Sequence, residues 1–281
     1  MRWVTLFLIC LGFWGSSEIM AQQPVERHLQ IQGVDRQYFV FDAHQQKQAP
    51  LVLVLHGGGG NGLRMLKRWQ SVAQREGLII VAPNAEKNTW NAVGCCGQGQ
   101  QQQNADAAFI QQILKSTQQN YSIDPYHIYI IGFSNGGMLT YQLIAQNRTP
   151  FAAAAVVSAA MFAGQPQPQA AMPLLVIHGV QDQVVPIDGG MSQMRFVART
   201  QAQPFLSLNQ TLNIWKKTNH CQNKNLISTS NTLSIWQYTV CQADLQVNIL
   251  KLTGHTWLEA EHANEFDTTQ TIWNFLKQHH R

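Results

Sequence analysis

The sequence predicts an α/β fold: a mostly parallel central sheet with helices on both faces. Short aliphatic runs with sharp boundaries recur along the chain and read as buried strands. Longer segments with helical periodicity lie between them, as crossovers between parallel strands require. Polar residues suited to chemistry stand just beyond the ends of several of these runs, the edge where open parallel sheets bind ligands. With 281 residues and 45% hydrophobic content the chain can bury a full core. The alternation runs through residues 22–281 with neither repeat nor linker, so one domain is expected there.

Residues 1–21 are of a different kind. Arg2 supplies a positive start, Trp3 to Trp14 is almost unbroken apolar sequence, and Gly15, Ser16 and Ser17 lead to Ala21. This predicts a secretory signal peptide, with Gln22 as the first mature residue and a secreted or periplasmic location. The run is short for a bilayer and no other is longer, so stable membrane insertion is not expected. Export makes the four cysteines beyond Cys10 candidates for disulfides rather than metal ligands. Cys221 and Cys241 flank a strand-like run, Leu233 to Val240, and a bridge between them would tie a surface excursion back on itself. Cys95 and Cys96 are adjacent and can join each other, stay free or bond elsewhere, so three pairings of the four remain formally open. No Cys-x-x-Cys or His-Glu-x-x-His pattern suggests zinc. The net charge of +4 comes from 19 basic and 15 acidic groups without a Lys/Arg block, so no nucleic-acid role is expected.

Along the chain, Gln37 to Phe41 reads as a strand, Gln45 to Gln48 as a polar turn, and Leu51 to Leu55 as a central strand. His56 and Gly57 to Gly60 follow. A phosphate loop would end in Gly-Lys-Ser or Gly-Lys-Thr, whereas this one continues Gly62-Leu63-Arg64; the glycines instead suit backbone N–H groups approaching an oxyanion. Leu63 to Glu76 is a helix with Leu63, Leu66, Trp69 and Ala73 inward, stopped by Gly77, and Leu78 to Val81 is the next strand. Pro83 to Gln103 is a long loop in which Trp90 is expected to wall a pocket. Ala105 to Gln119 is helical, and Tyr126 to Phe133 is a buried strand. Ala152 to Val157 and Pro173 to Ile177 are further strands, separated by a proline-rich loop from Gly164 to Ala171. A helix is expected over Phe205 to Thr218, a last strand over Val247 to Leu252, and a final helix over Thr268 to Gln278.

The strand ending at Phe133 runs into Gly132-Phe133-Ser134-Asn135-Gly136, and the pattern beyond it turns helical. A serine on such a corner needs small neighbours, and the helix beginning near Asn135 directs free N–H groups at any negative charge developing on a bound carbonyl. Ser134, Asp182 and His255 each follow a separate strand, in the chain order nucleophile, acid, histidine. Asp188 and Asp244 are rival acids. The reading is acyl transfer, with His255 as base, Asp182 orienting it, and backbone N–H groups of Asn135 and one of Gly58 or Gly59 as oxyanion donors. Trp257, just past the histidine, is expected beside the substrate with Trp90. The chemistry calls for no cofactor: neither metal, nucleotide nor flavin.

The stretch from Leu51 to Trp257 resembles the secreted esterase group of the α/β-hydrolases that includes poly(3-hydroxybutyrate) depolymerases, feruloyl esterases and acetylxylan esterases. The resemblance rests on the glycines after His56, Trp90-Asn91 with Cys95-Cys96-Gly97, Ile123-Asp124-Pro125, the Gly132 to Met138 corner, His178-Gly179 with Asp182 and Val185-Pro186, Asn219 with Cys221, and Gly254-His255-Thr256-Trp257. Asp106, in the helix before the nucleophile strand, reads as structural. The resemblance implies a carboxylic ester hydrolase whose partner is a polymeric or oligomeric ester: a hydroxyalkanoate polyester, or feruloyl or acetyl esters of plant polysaccharide. A serine peptidase uses the same triad, and a non-catalytic binding protein on a hydrolase scaffold is the reading from another class.

Overall fold

A computed structural model describes residues 22–44, 48–96, 105–146, 150–260 and 265–281. The expected signal peptide, Gly97 and the glutamine-rich end of the long loop lie outside the described residues. In chain order the strands are β1 (Val25–Ile31), β2 (Val34–Asp42), β3 (Ala49–Leu55), β4 (Ile79–Pro83), β5 (Ile123–Phe133), β6 (Ala153–Val157), β7 (Leu174–Gly179), β8 (Asn223–Thr229), β9 (Leu233–Thr239) and β10 (Leu245–Leu250). They form one sheet ordered β1-β2-β4-β3-β5-β6-β7-β10-β9-β8. The six strands from β4 to β10 in that order pair in parallel, and antiparallel strands flank them at both ends. This is the α/β-hydrolase fold, with its mixed, mostly parallel sheet.

Helices α1 (Gly62–Glu76), α2 (Ala105–Asn120), α3 (Asn135–Ala145), α4 (Arg195–Ala198), α5 (Leu208–Thr218) and α6 (Thr268–Leu276) complete the fold. The period of two along β3 sorts its side chains: Leu51, Leu53 and Leu55 join a core with α2, α3 and α5, while Val52 and Val54 join a second core with α1 and α6. Helix α1 is stopped as expected, by Gly77 at φ 70°, and its first turn is capped by the Asn61 side chain. Helix α5 starts later than expected, at Leu208, because Ser207 and Gln210 form a capping box while Phe205 pairs with Phe162 and Gly190 in extended conformation.

Strand order reverses between β3 and β5, since β4 lies on one side of β3 and everything after β5 lies on the other. A crevice opens at the carboxyl ends of strands around such a switch point. The glycines after β3 and Ser134 after β5 both stand there.

Candidate active site

Ser134 joins β5 to α3 with φ 52° and ψ −123°, a conformation that strains any residue but glycine. The corner closes only because its neighbours lack side chains. A Cβ on Gly132 would lie 2.3 Å from the Gly136 carbonyl oxygen, and one on Gly136 would lie 2.5 Å from the His56 carbonyl oxygen. The Ser134 N–H donates to Val157 O at 2.9 Å, which pins the turn to β6.

The three expected polar residues meet. Ser134 Oγ lies 2.9 Å from His255 Nε2, and His255 Nδ1 lies 2.8 Å from Asp182 Oδ2. With an ionised carboxylate at Nδ1, that nitrogen carries the hydrogen and Nε2 accepts from the serine hydroxyl. Asp182 is buried, and its Oδ1 accepts the N–H groups of Val184 and Val185 at 2.9 and 2.8 Å. His178 stands behind it, donating from Nε2 to Val185 O at 2.9 Å, with that nitrogen 3.7 Å from Asp182 Oδ2. Burial lowers the His178 pKa, against the opposing pull of the Asp182 carboxylate beside it. The rival acids are placed elsewhere: Asp188 is exposed, and Asp244 precedes β10 at the opposite end of the strand from His255.

The glycine loop approaches the corner from β3. A Cβ on Gly58 would lie 3.7 Å from Asn135 Cβ, so the Gly58 backbone runs beside the residue after the serine. Of the two candidate donors here, Gly59 is corrected: its N–H donates to Asn88 O at 2.8 Å and is committed to the loop, which leaves Gly58. His56 holds this loop. Its Nδ1 donates to Gly57 O at 2.7 Å, its Nε2 accepts the Ala85 N–H at 3.0 Å, and burial pushes its pKa down to about 4.

Beside the serine lies a cavity of about 430 Å³, lined by Gly58, Ser134, Asn135 and His255 and walled by Met138, Val184, Val185, Phe196, Val197 and Phe205, with Thr89 and Cys96 at one side. Among the described residues its wall contains no Lys, Arg, Asp or Glu side chain. The two tryptophans expected there are corrections. Trp90 is wholly buried under the glycine loop, and its indole N–H donates to His56 O at 2.8 Å. Trp257 is in the core shared with α1 and α6, donates to Thr269 Oγ1 at 3.0 Å, and meets the Phe133 ring edge-on. A strand-end position placed both at the right edge of the sheet and said nothing about which way either indole turns. Of the residues that do form the wall, Met138, Val184 and Val185 were findable from their closeness in sequence to Ser134 and Asp182. Phe196 and Phe205 carried no signal, because α4 is too short to show a period and Phe205 was assigned to a helix.

Asp106 and the two cysteine pairs are structural elements of the fold. Asp106 is structural as expected: it pairs with Arg36 at 2.7 Å in the core and accepts the Asn91 N–H at 2.7 Å. Cys221 and Cys241 are joined, closing the β8–β9 hairpin, and Cys95 pairs with Cys96.

A sheet of this order, with serine, histidine and aspartate hydrogen-bonded in series at its carboxyl edge, defines a hydrolase of the α/β class. The chain belongs to the phospholipase/carboxylesterase family, which it matches over residues 36–237. It is 26% identical over 257 residues to a bifunctional acetylxylan esterase/xylanase of Neocallimastix patriciarum, covering 88% of this chain and 34% of that protein. It is 25% identical over 249 residues to feruloyl esterase B of Piromyces equi, covering 83% of this chain and 42% of that protein. The chain thus spans less than half the length of either relative. Among solved structures, an acetyl xylan esterase from Aspergillus awamori shares the fold with a TM-score of 0.62 at 13% identity, over 90% of this chain and 99% of that one. No helix among the described residues is long and apolar enough to cross a membrane.

Proposed function

We propose that this chain is an exported serine carboxylic ester hydrolase acting through an acyl-enzyme, with Ser134 as nucleophile. The observation that carries the reading is the unbroken series Ser134–His255–Asp182, at 2.9 and 2.8 Å, opening into an apolar cavity. His255 takes the hydroxyl proton as Ser134 Oγ attacks the ester carbonyl carbon, and Asp182 stabilises the imidazolium. Asn135 and Gly58 offer backbone N–H groups to the oxyanion. The tetrahedral intermediate collapses as the alcohol leaves with the proton from His255. Water then attacks the acyl-enzyme by the same route and releases the acid.

The uncharged wall favours a neutral acyl group, since no fixed charge in it repays the desolvation of an ionic one. Phe196 and Phe205 suit a flat or bulky apolar acyl chain. Together with the relatives named as feruloyl and acetylxylan esterases, this supports feruloyl or acetyl esters of plant polysaccharide as the substrate class. Export is supported by the apolar start of the sequence and by the Cys221–Cys241 pair. The test is a hydrolysis panel of methyl ferulate, acetylated xylan, short aryl esters, hydroxybutyrate oligomers and a peptide amide, with Ser134→Ala as control. Turnover of the first two above the rest, abolished in the variant, is the expected result. Preference for hydroxybutyrate oligomers moves the substrate to a polyester, and peptide cleavage without ester cleavage makes the chain a peptidase. Retention of more than about one per cent of kcat in Ser134→Ala rejects the nucleophile.

A further inference from the structure

Trp90 misses the cavity, yet it is bonded to both sides of the place where an oxyanion would sit. Its backbone N–H donates to Asn135 Oδ1 at 2.6 Å, and its carbonyl accepts from Asn135 Nδ2 at 3.2 Å. Its indole N–H reaches the other way, to His56 O at 2.8 Å. Asn135 carries one oxyanion donor of the proposed mechanism, and His56 stands two residues before Gly58, which carries the other. These donors come from separate segments: β3 and β5 pair only as far as Leu55 opposite Gly132, and beyond that register the strand ladder no longer joins them. Trp90 bridges the gap.

The bridge is itself held. The indole is wholly buried, with its ring 5.0 Å from that of His56 between centroids. Asn135 Nδ2 also donates to Cys95 O at 3.0 Å, the Gly59 N–H is bonded to Asn88 O, and the Ala85 N–H to His56 Nε2. On the far side the Asn91 N–H is fixed by Asp106, and Asp106 by Arg36. Preorganised donors stabilise developing charge because they need not reorient during the reaction, and misplacement by about 1 Å can cost about a hundredfold in rate.

We propose that Trp90 is a positioning residue for the oxyanion hole, using its backbone and indole N–H groups to hold the Asn135 and Gly58 donors at a fixed separation. This rests on the reading of Ser134 as nucleophile, so the test carries its own control. Trp90→Phe keeps an aromatic ring and removes the bond to His56 O. Two measurements isolate the hole: kcat and KM on an activated ester, and affinity for a substrate-like trifluoromethyl ketone beside that for the corresponding secondary alcohol. Ser134 Oγ adds to the ketone carbon, its proton passes to His255, and the carbonyl oxygen becomes an oxyanion; the alcohol cannot add.

The expected result is a fall in kcat of about tenfold or more with KM within about threefold, and weaker ketone binding in proportion, while alcohol binding is unchanged. A kcat within about twofold of wild type, or ketone and alcohol affinities falling together, overturns the proposal. Should Trp90→Phe fail to fold, benzothienylalanine introduced at position 90 replaces the N–H by sulfur at nearly constant shape, and the same outcomes decide. If the wild-type protein neither hydrolyses esters nor binds the ketone through Ser134, both readings fall. If it does both and the Trp90 variant matches it, this one alone falls.

Discussion

Replacing Trp257 by alanine separates a core residue from a substrate contact. The indole is 5% exposed, donates to Thr269 Oγ1, and backs the Phe133 ring, which in turn lies 5.1 Å from the His255 ring between centroids. A buried tryptophan removes some 150–250 Å² from water, which at about 25 cal/mol per Å² is worth about 4–6 kcal/mol, in line with the roughly 3–5 kcal/mol of such truncations. Taking about 4 kcal/mol as the loss, and about 2–4 °C per kcal/mol for a chain of this size, Tm should drop by roughly 8–16 °C. Calorimetry gives the stability, and kcat/KM on an acetate and a feruloyl ester, taken well below the lowered Tm, gives the chemistry. Both esters should lose activity by a similar factor, because Phe133 loses its backing and His255 loses Phe133. A loss of about tenfold or more on the feruloyl ester alone, with Tm nearly unchanged, would refute this and return Trp257 to the substrate.

Asp182→Asn should cost about a thousandfold or more in kcat, because the amide must turn an N–H toward either the backbone donors or His255, whereas exposed Asp188→Asn should change little; the reverse ranking reassigns the acid. Asp106→Asn leaves Arg36 charged and buried, so urea unfolding should show a loss of about 3–5 kcal/mol, and a loss below about 1 would mean that the pair contributes little. His56, at about 4 in the folded protein against 6.5 unfolded, binds its proton more readily when unfolded, so it contributes stability in full above 6.5 and loses it as pH falls toward 4. The span is worth about 3 kcal/mol; His56→Gln should flatten the fall in urea midpoint between pH 7 and 4, and an unaltered slope would exclude His56 as its source. Peptide mapping under non-reducing conditions should recover Cys221 linked to Cys241 in exported protein, a closure worth about 3 kcal/mol, whereas alkylation of both thiols would reject the link.

What could be seen in the sequence was whatever depends on local backbone demands. Gly132 and Gly136 announce the corner because no side chain fits there, and the aliphatic run into His56 announces the central strand because both its faces are buried. The polar outer strands were harder. All of β8 is exposed, and β1 is exposed or half-buried except at Ile31, so neither shows an apolar alternation. The Gln32-Gly33 turn, with φ of 52° and 81°, was the remaining sign of the β1–β2 hairpin. The cavity wall was least legible. Met138 and Val184 lie close in sequence to Ser134 and Asp182, but Phe196 and Phe205 reach the wall from α4 and from the segment before α5, and their arrival there is a property of the tertiary fold rather than of any stretch of sequence. The glycine loop shows the same limit: its composition foretold N–H groups near the serine, and only the bond to Asn88 separated Gly58 from Gly59.

The backbone angles of Ser134 have a consequence for how this protein trades stability against activity. A φ of 52° with ψ near −123° is open to glycine and costs other residues about 1–3 kcal/mol, a sizeable share of the roughly 5–15 kcal/mol that holds a typical domain folded. Ser134→Gly should therefore yield an inert protein that melts above the wild type, even after the loss of the hydroxyl bond to His255. Backbone relief and the proposed nucleophile thus make opposite demands on this position. Stabilising changes elsewhere, on α1 or α6 for example, carry no such conflict, because those helices pack on the sheet without entering the cavity wall.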